Sequence, residues 1–164
     1  MSAVNLIIEA DDLSAIEKNL KQLCEDANAS FAFLIDLAGQ QLASIGASET
    51  IDMTSLASLT AGNVAATEGL AQIIGEPGFS SLFHEGEHDS LLITTINGRV
   101  ILVIAFDERS SLGLVRLRVR QASQPLGQIV GDIERRSAAQ SSQMASDSPF
   151  GEITDEDIDG LFAE

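Results

Sequence analysis

Apolar residues recur at the helical spacing of three and four positions in three stretches, 11–28, 52–74 and 110–136. This period predicts three amphipathic helices. Aspartates or serines stand at the start of each stretch, where their oxygens can cap free N–H groups. Pro125 falls inside the apolar stripe of the third stretch, where a proline removes a backbone hydrogen bond and kinks a helix.

Five short apolar stretches between the helices predict β-strands, at 30–36, 41–45, 80–84, 91–96 and 99–106. Asn97-Gly98 joins the last two strands and is a strong signal for a two-residue hairpin. The short third strand is expected at a sheet edge, and the β-branched run RVILVIAFD is expected at the centre. The order α-β-β-α-β-β-β-α predicts an α+β fold, a five-stranded antiparallel sheet with helices on both faces.

The second helix divides into two faces. One face is an aliphatic stripe, which we expect to face the core; it consists of Leu56, Leu59, Ala66, Leu70 and Ile74. The other face carries only small residues: Ser58, Gly62, Ala65 and Gly69. A glycine inside a helix costs about 1 kcal/mol relative to alanine, so we interpret the small face as a surface that another backbone approaches closely. That backbone belongs either to the protein's own sheet or to a second copy or partner protein, and the second alternative is favoured.

Composition narrows the class of protein. The chain has 164 residues and a formal net charge of −16, which opposes binding to nucleic acid or to an anionic membrane. Its single cysteine, Cys24, excludes an intrachain disulfide, fits a reducing compartment and is expected to be a buried, inert thiol. Neither a signal-peptide pattern nor a membrane-spanning apolar run is present, so we expect a cytoplasmic protein.

The composition changes after residue 137. Residues 138–149 are small, polar and aperiodic, which predicts a flexible linker between a domain at 1–137 and a terminal segment at 150–164. The segment has six carboxylates and no base. It still keeps an apolar edge, formed by Ile158, Leu161 and Phe162, and Ile153 and Ile158 stand at the two positions of a hydrophobic staple. So short a helix is marginal alone, and we interpret it as a docking helix that folds on a basic partner, with a solubilising tail as the alternative.

One motif of the chain resembles a catalytic metal site. His84-Glu85-Gly86-Glu87-His88 has the histidines and glutamate of a zinc protease, but that site requires a helix, and Gly86 and the neighbouring strands predict a loop. We therefore expect no metal. The chain contains neither a nucleophile motif nor a phosphate-binding glycine loop, so we expect no cofactor and no catalytic residue, and a hydrolase is the least favoured class.

Arg109, Arg116 and Arg120 line one flank of the last helix in a chain with few bases. Ordinary surface ion pairs are the favoured interpretation. The alternatives are electrostatic contacts with an acidic partner surface or with the acidic tail, and an arginine finger for a GTPase.

Four stretches spread over nearly the whole chain match the sequence pattern of one protein family. They are IDMTSLASLTAGNVAATEGLA, FHEGEHDSL, FDERSSLGLVRLRV and SPFGEITDEDIDGLF. They resemble the bacterial MglB family, Roadblock-domain partners of the Ras-like GTPase MglA in cell polarity and gliding motility. The resemblance implies a Roadblock fold of the predicted order and a homodimer paired through the second helix and a sheet edge. Pro125 departs from the family pattern, so the resemblance implies nothing about the contacts made near this residue.

The resemblance further implies a non-catalytic GTPase activator that is cytoplasmic and concentrated at a cell pole. It would rearrange the GTPase's own catalytic residues rather than insert an arginine finger. The implied GTPase-binding residues are Ser58, Gly62, Ala65 and Gly69. The implied tail contacts, which would promote nucleotide exchange, are Phe150, Ile153, Ile158, Leu161 and Phe162. The alternative is a Roadblock scaffold or exchange factor that binds a GTPase without stimulating hydrolysis.

Overall fold

The computed structural model describes residues 5–47 and 49–147. The elements, in chain order, are α1 (Ala10–Ala27), β1 (Phe31–Asp36), β2 (Gln41–Ile45), α2 (Met53–Ile74), β3 (Leu82–His84), β4 (Ser90–Ile96), β5 (Val100–Phe106) and α3 (Leu112–Ser146). This order confirms the predicted α-β-β-α-β-β-β-α sequence of elements.

The chain divides into two units. The larger, residues 8–131, contains the five strands, α1, α2 and the first part of α3. The smaller includes residues 5–7 and 132–147, and in it the backbone N–H of Ile7 donates to Ser137 Oγ at 2.9 Å.

The five strands form one antiparallel sheet in the order β2-β1-β5-β4-β3. The central strand β5 is buried at every position, as its β-branched composition predicts. The three-residue strand β3 lies at one edge and pairs with β4 alone. Asn97 and Gly98 have φ values of 54° and 63°, the left-handed pair that a type I′ hairpin needs, so the hairpin prediction is confirmed.

The helices cover both faces of the sheet. On one face, α2 packs on a core cluster of buried residues that consists of Phe31, Phe33, Ile35, Ala57, Ala61, Val64, Ile93, Ile101, Val103 and Ala105. On the other face, α3 approaches the end of β4, where Asn97 Nδ2 donates to the Gly127 carbonyl oxygen at 2.8 Å. No buried residue of α1 belongs to the α2 cluster, and α1 contacts β1 and β2. The predicted two-sided α+β fold is confirmed.

The orientation of α2 differs from the prediction. Its buried residues are Ala57, Thr60, Ala61, Val64 and Ala71. Leu59, Ala66, Leu70 and Ile74, which we expected in the core, are exposed, and Leu56 is half-buried. The helix is apolar on nearly all sides, so periodicity alone cannot choose the side that faces the sheet. The sheet selects the side with alanine and valine because these short side chains let the helix lie close.

The β1–β2 turn shows how close α2 lies. Gly39 has φ of +86°, and a Cβ added there would be 3.0 Å from the Cα of Ser58 and 3.3 Å from the Cβ of Ala61. Only glycine accepts both the left-handed backbone and the neighbouring helix. The residues of α2 that serve close packing at this turn are therefore Ala57, Ser58 and Ala61, and Ser58 is the only one of them that belongs to the predicted small face.

Replacing Gly39 with alanine is expected to lower the free energy of unfolding by about 2–4 kcal/mol, because backbone strain and overpacking add. Gly75→Ala is the matched control: Gly75 also has a positive φ, +76°, but an added Cβ there meets no described atom within 4 Å. It is expected to cost only about 1–2 kcal/mol. Urea unfolding of both variants measures the difference, and equal losses would contradict close packing at the turn.

The last helix is longer than predicted. It continues to Ser146 instead of ending near Arg136, and it includes Pro125 without interruption. Residues 138–146, expected as part of a flexible linker, are therefore helical, because alanine, glutamine and serine propagate an existing helix at small cost. The division into a domain, a linker and a terminal segment at 150–164 stays a prediction, since that segment lies outside the described residues.

Candidate protein-interaction site

The small face of α2 is open to solvent. Ser58, Gly62, Ala65 and Gly69 are all exposed, and a Cβ added at either glycine meets nothing within 4 Å. The small residues of this face therefore do not serve to pack α2 against the protein's own sheet. The remaining alternative is that a second copy or a partner protein approaches this face.

Large aliphatic side chains stand beside the small face. Leu59 is 73% exposed, Leu70 59% and Ile73 82%. α2 contains one charged residue, Glu68, although the whole chain carries a net charge of −16. An uncharged aliphatic face on a strongly acidic protein is typical of a surface that binds another protein. We missed this signal because the aliphatic stripe was interpreted as core.

Both ends of α2 are fixed by capping. Asp52 accepts a hydrogen bond from the backbone N–H of Ser55 at 3.1 Å and another from its hydroxyl at 2.6 Å. These bonds hold the pKa of the Asp52 carboxyl below its usual range, so it stays ionised and caps the helix at neutral pH. At the other end Gly75 takes the left-handed conformation that closes a helix. The site is therefore presented on a helix with defined ends.

The histidine motif is divided between a strand and a loop. His84 ends β3, and residues 85–89 form the loop before β4, as the sequence predicts. His84 Nε2 lies 3.2 Å from Nδ2 of Asn63 and so links β3 to α2. Within the described part of the chain, no group of three histidine, cysteine, aspartate or glutamate side chains is placed to hold a metal ion.

The three arginines do not form one group. Arg109 pairs with Asp107 at 2.9 Å, and hydrogen bonds from Arg109 hold the pKa of the Asp107 carboxyl below its usual range. This is the ordinary surface ion pair favoured by the sequence. Arg116 and Arg120 instead line a cleft between α3 and β4, to which β4 contributes Leu92 and Thr94. The structure does not bring them together with the small face of α2, which lies over the opposite face.

Cys24 is half-buried rather than buried. Burial, and secondarily the carboxylate of Glu25, raise the pKa of its thiol to about 11. The thiol is therefore protonated at neutral pH, a state that is a poor nucleophile.

The remaining predicted site residues, Phe150, Ile153, Ile158, Leu161 and Phe162, lie outside the described residues. None of the described helices combines the length and the apolar character that crossing a bilayer requires.

Comparison with known proteins defines the class. The sequence profile of the Roadblock/LC7 domain matches residues 15–106, more than half of the chain, so the chain belongs to the Roadblock/LC7 family. Comparison with curated proteins gives no match.

Solved structures refine this class to the MglB proteins. The chain is 49% identical to Myxococcus xanthus MglB, with a TM-score of 0.73 over 78% of this chain and 96% of that one. It is 32% identical to the gliding protein MglB of Thermus thermophilus, with a TM-score of 0.72 over 78% and 97% of the two chains. An MglB with a tetrameric arrangement is 30% identical, with a TM-score of 0.74 over 79% and 97%. The resemblance to MglB is thereby confirmed.

Proposed function

We propose that this chain is a non-catalytic, homodimeric activator of an MglA-like Ras GTPase in cell polarity and gliding motility. The observation that carries the proposal is the exposed, uncharged face of α2, in which a line of small residues runs beside large aliphatic ones. A buried role within the chain does not account for this face, so it needs an external partner.

The aliphatic part of the face is suited to a second copy. Leu59, Leu70 and Ile73 expose apolar surface whose burial contributes about 25 cal/mol per Å². The outer edge of β3 offers backbone groups that no described strand pairs. A twofold dimer through α2 and this edge buries both features at once, since such an interface uses the same surface on each copy.

The small part of the face is suited to the GTPase. Two copies of α2 side by side form a platform on which Ser58, Gly62, Ala65 and Gly69 allow a partner backbone to come close. A GTPase on this platform does not meet Arg116 or Arg120, which line a cleft on the opposite face of the sheet. This placement supports activation by rearrangement of the GTPase's own catalytic residues rather than by an arginine finger.

GTP turnover of a co-encoded Ras-like GTPase, with and without this protein, tests the proposal. We expect a rise of at least about tenfold, which corresponds to about 1.4 kcal/mol of barrier lowering, and no turnover by this chain alone. Binding without a rise in turnover would favour the alternative, a Roadblock scaffold or exchange factor.

The terminal segment is proposed to act separately on nucleotide exchange through Phe150, Ile153, Ile158, Leu161 and Phe162. Deleting Phe150–Glu164 is then expected to remove stimulated release of a fluorescent GDP analogue from the GTPase while hydrolysis is still stimulated. Loss of both activities would contradict the separation.

We further propose a cytoplasmic protein concentrated at a cell pole, which a fluorescent fusion would show.

A further inference from the structure

A second surface feature lies between α3 and β4, beside the β3 edge of the sheet and on the face that α3 covers; no residue of β3 itself lines it. It is a cleft of about 470 Å³, to which α3 contributes Arg116 and Arg120 and the segment before β3 contributes Ser80 and Ser81. None of the described residues that line it carries a carboxylate. A smaller cleft of about 260 Å³ on the α2 side of the same edge is lined in part by Glu68 and Glu76. The two sides of the edge therefore carry opposite charge.

The two arginines of the cleft are not neutralised by the described part of the chain. Arg116 and Arg120 are exposed and stand one helical turn apart, and neither makes an ion pair or side-chain hydrogen bond with a described residue. The chain has 25 acidic and 9 basic residues, so a cleft lined by two bases differs in charge from the chain as a whole. Two adjacent unpaired guanidiniums make this cleft a local positive site on an acidic protein.

Hydrogen-bond donors in the cleft point to an anionic ligand. The hydroxyl protons of Thr94 and Ser123 are already donated to the carbonyl oxygens of Ser80 and Val119 at 2.8 Å and 2.7 Å. The remaining donors are the hydroxyls of Ser80 and Ser81 and the two guanidiniums. Guanidinium groups bind carboxylates through paired N–H donors.

The backbone of the cleft does not suit a small inorganic anion. Guanidinium groups also bind phosphate, but many phosphate sites add free backbone N–H groups at a helix N-terminus. The cleft instead lies along residues 116–123, beyond the first turn of α3, where backbone N–H groups are bonded within the helix. Its charges are on long side chains spaced one turn apart, which matches carboxylates repeated along a peptide.

We propose that the Arg116–Arg120 cleft binds an acidic peptide segment of a partner protein other than the GTPase. Charge complementarity selects the segment, and the cleft volume admits several of its side chains. Because the cleft and the small face of α2 lie over opposite faces of the sheet, the acidic partner and the GTPase can be bound together. The protein would then connect a GTPase to a second, acidic protein.

Fluorescence anisotropy of the full chain with a fluorescein-labelled glutamate-rich peptide tests this proposal. Arg116→Gln combined with Arg120→Gln is expected to weaken binding at least tenfold. Lys18→Gln combined with Lys21→Gln is the matched control, because it removes the same charge from exposed positions of α1 and is expected to leave binding unchanged. A peptide with glutamine in place of glutamate is expected not to bind.

Four results of the peptide-binding experiment would overturn the proposal. The first two are equal weakening of binding by the lysine variant and equal binding of the glutamine peptide. The third is displacement of the probe by inorganic phosphate at matched concentration. The fourth is displacement of the probe by a peptide of residues 150–164 that binds more tightly than the probe itself. The last would assign the cleft to this protein's own acidic segment. Stimulation of GTP turnover is expected to be unchanged in the arginine variant, and its loss would assign the cleft to the GTPase instead.

Discussion

Ala65→Arg combined with Gly69→Arg is expected to reduce stimulation of GTP turnover at least about 100-fold without unfolding the protein or separating the dimer. The two positions are one turn apart on the small face of α2, and both are exposed. At Gly69 an added Cβ meets no described atom within 4 Å, and both positions face solvent, so the fold accepts the change. A GTPase that sits close to this face would have to displace two long side chains or bury their charges, at a cost of several kcal/mol.

The matched control adds the same charge elsewhere. Gln124→Arg with Gln128→Arg places two arginines one turn apart on exposed positions of α3, over the opposite face of the sheet. Normal stimulation by this control, together with a normal melting temperature and dimer mass for the α2 variant, would restrict the effect to the small face. Full stimulation by the Ala65→Arg/Gly69→Arg protein would refute this face as the GTPase-binding surface.

The sequence was sufficient for the sheet because its signals are local. A β-branched run such as RVILVIAFD has few alternatives to a central strand, and Asn97-Gly98 fixes the hairpin beside it through the positive φ values that these residues tolerate. Helix ends were also readable where a single residue decides them, as Asn28 and Gly75 do.

The side of α2 that faces the sheet could not be predicted from the sequence, and the reason is physical. Periodicity identifies apolar sides of a helix but not the surface that each side meets, and α2 has two such sides. The selection depends on a close approach between Gly39 and the backbone of Ala57 and Ser58, residues that are distant from Gly39 in the sequence. The same limit applies to the Arg116–Arg120 cleft, because its serines come from the segment before β3 and its arginines from α3.

Leu59→Glu combined with Leu70→Glu is expected to convert the proposed dimer into a folded monomer. Both leucines lie on the aliphatic side of α2 and are mainly exposed in a single copy, at 73% and 59%, so their replacement leaves the core intact. In a twofold dimer the change removes four apolar side chains, each contributing about 1.5–3 kcal/mol when fully buried, and brings four carboxylates together. The dimer dissociation constant is therefore expected to rise at least about 1,000-fold, equivalent to about 4 kcal/mol.

Sedimentation equilibrium measures this change, and Leu117→Glu is the control, because Leu117 is an exposed leucine of α3 at 46%. The control is expected to remain dimeric. If the GTPase contacts α2 of both copies, the monomeric variant loses stimulation even though Ala65 and Gly69 are intact, which separates its defect from that of the arginine variant. A glutamate variant that stays dimeric would mean that the copies pair elsewhere, and the exposed leucines would then belong to the GTPase-binding surface itself.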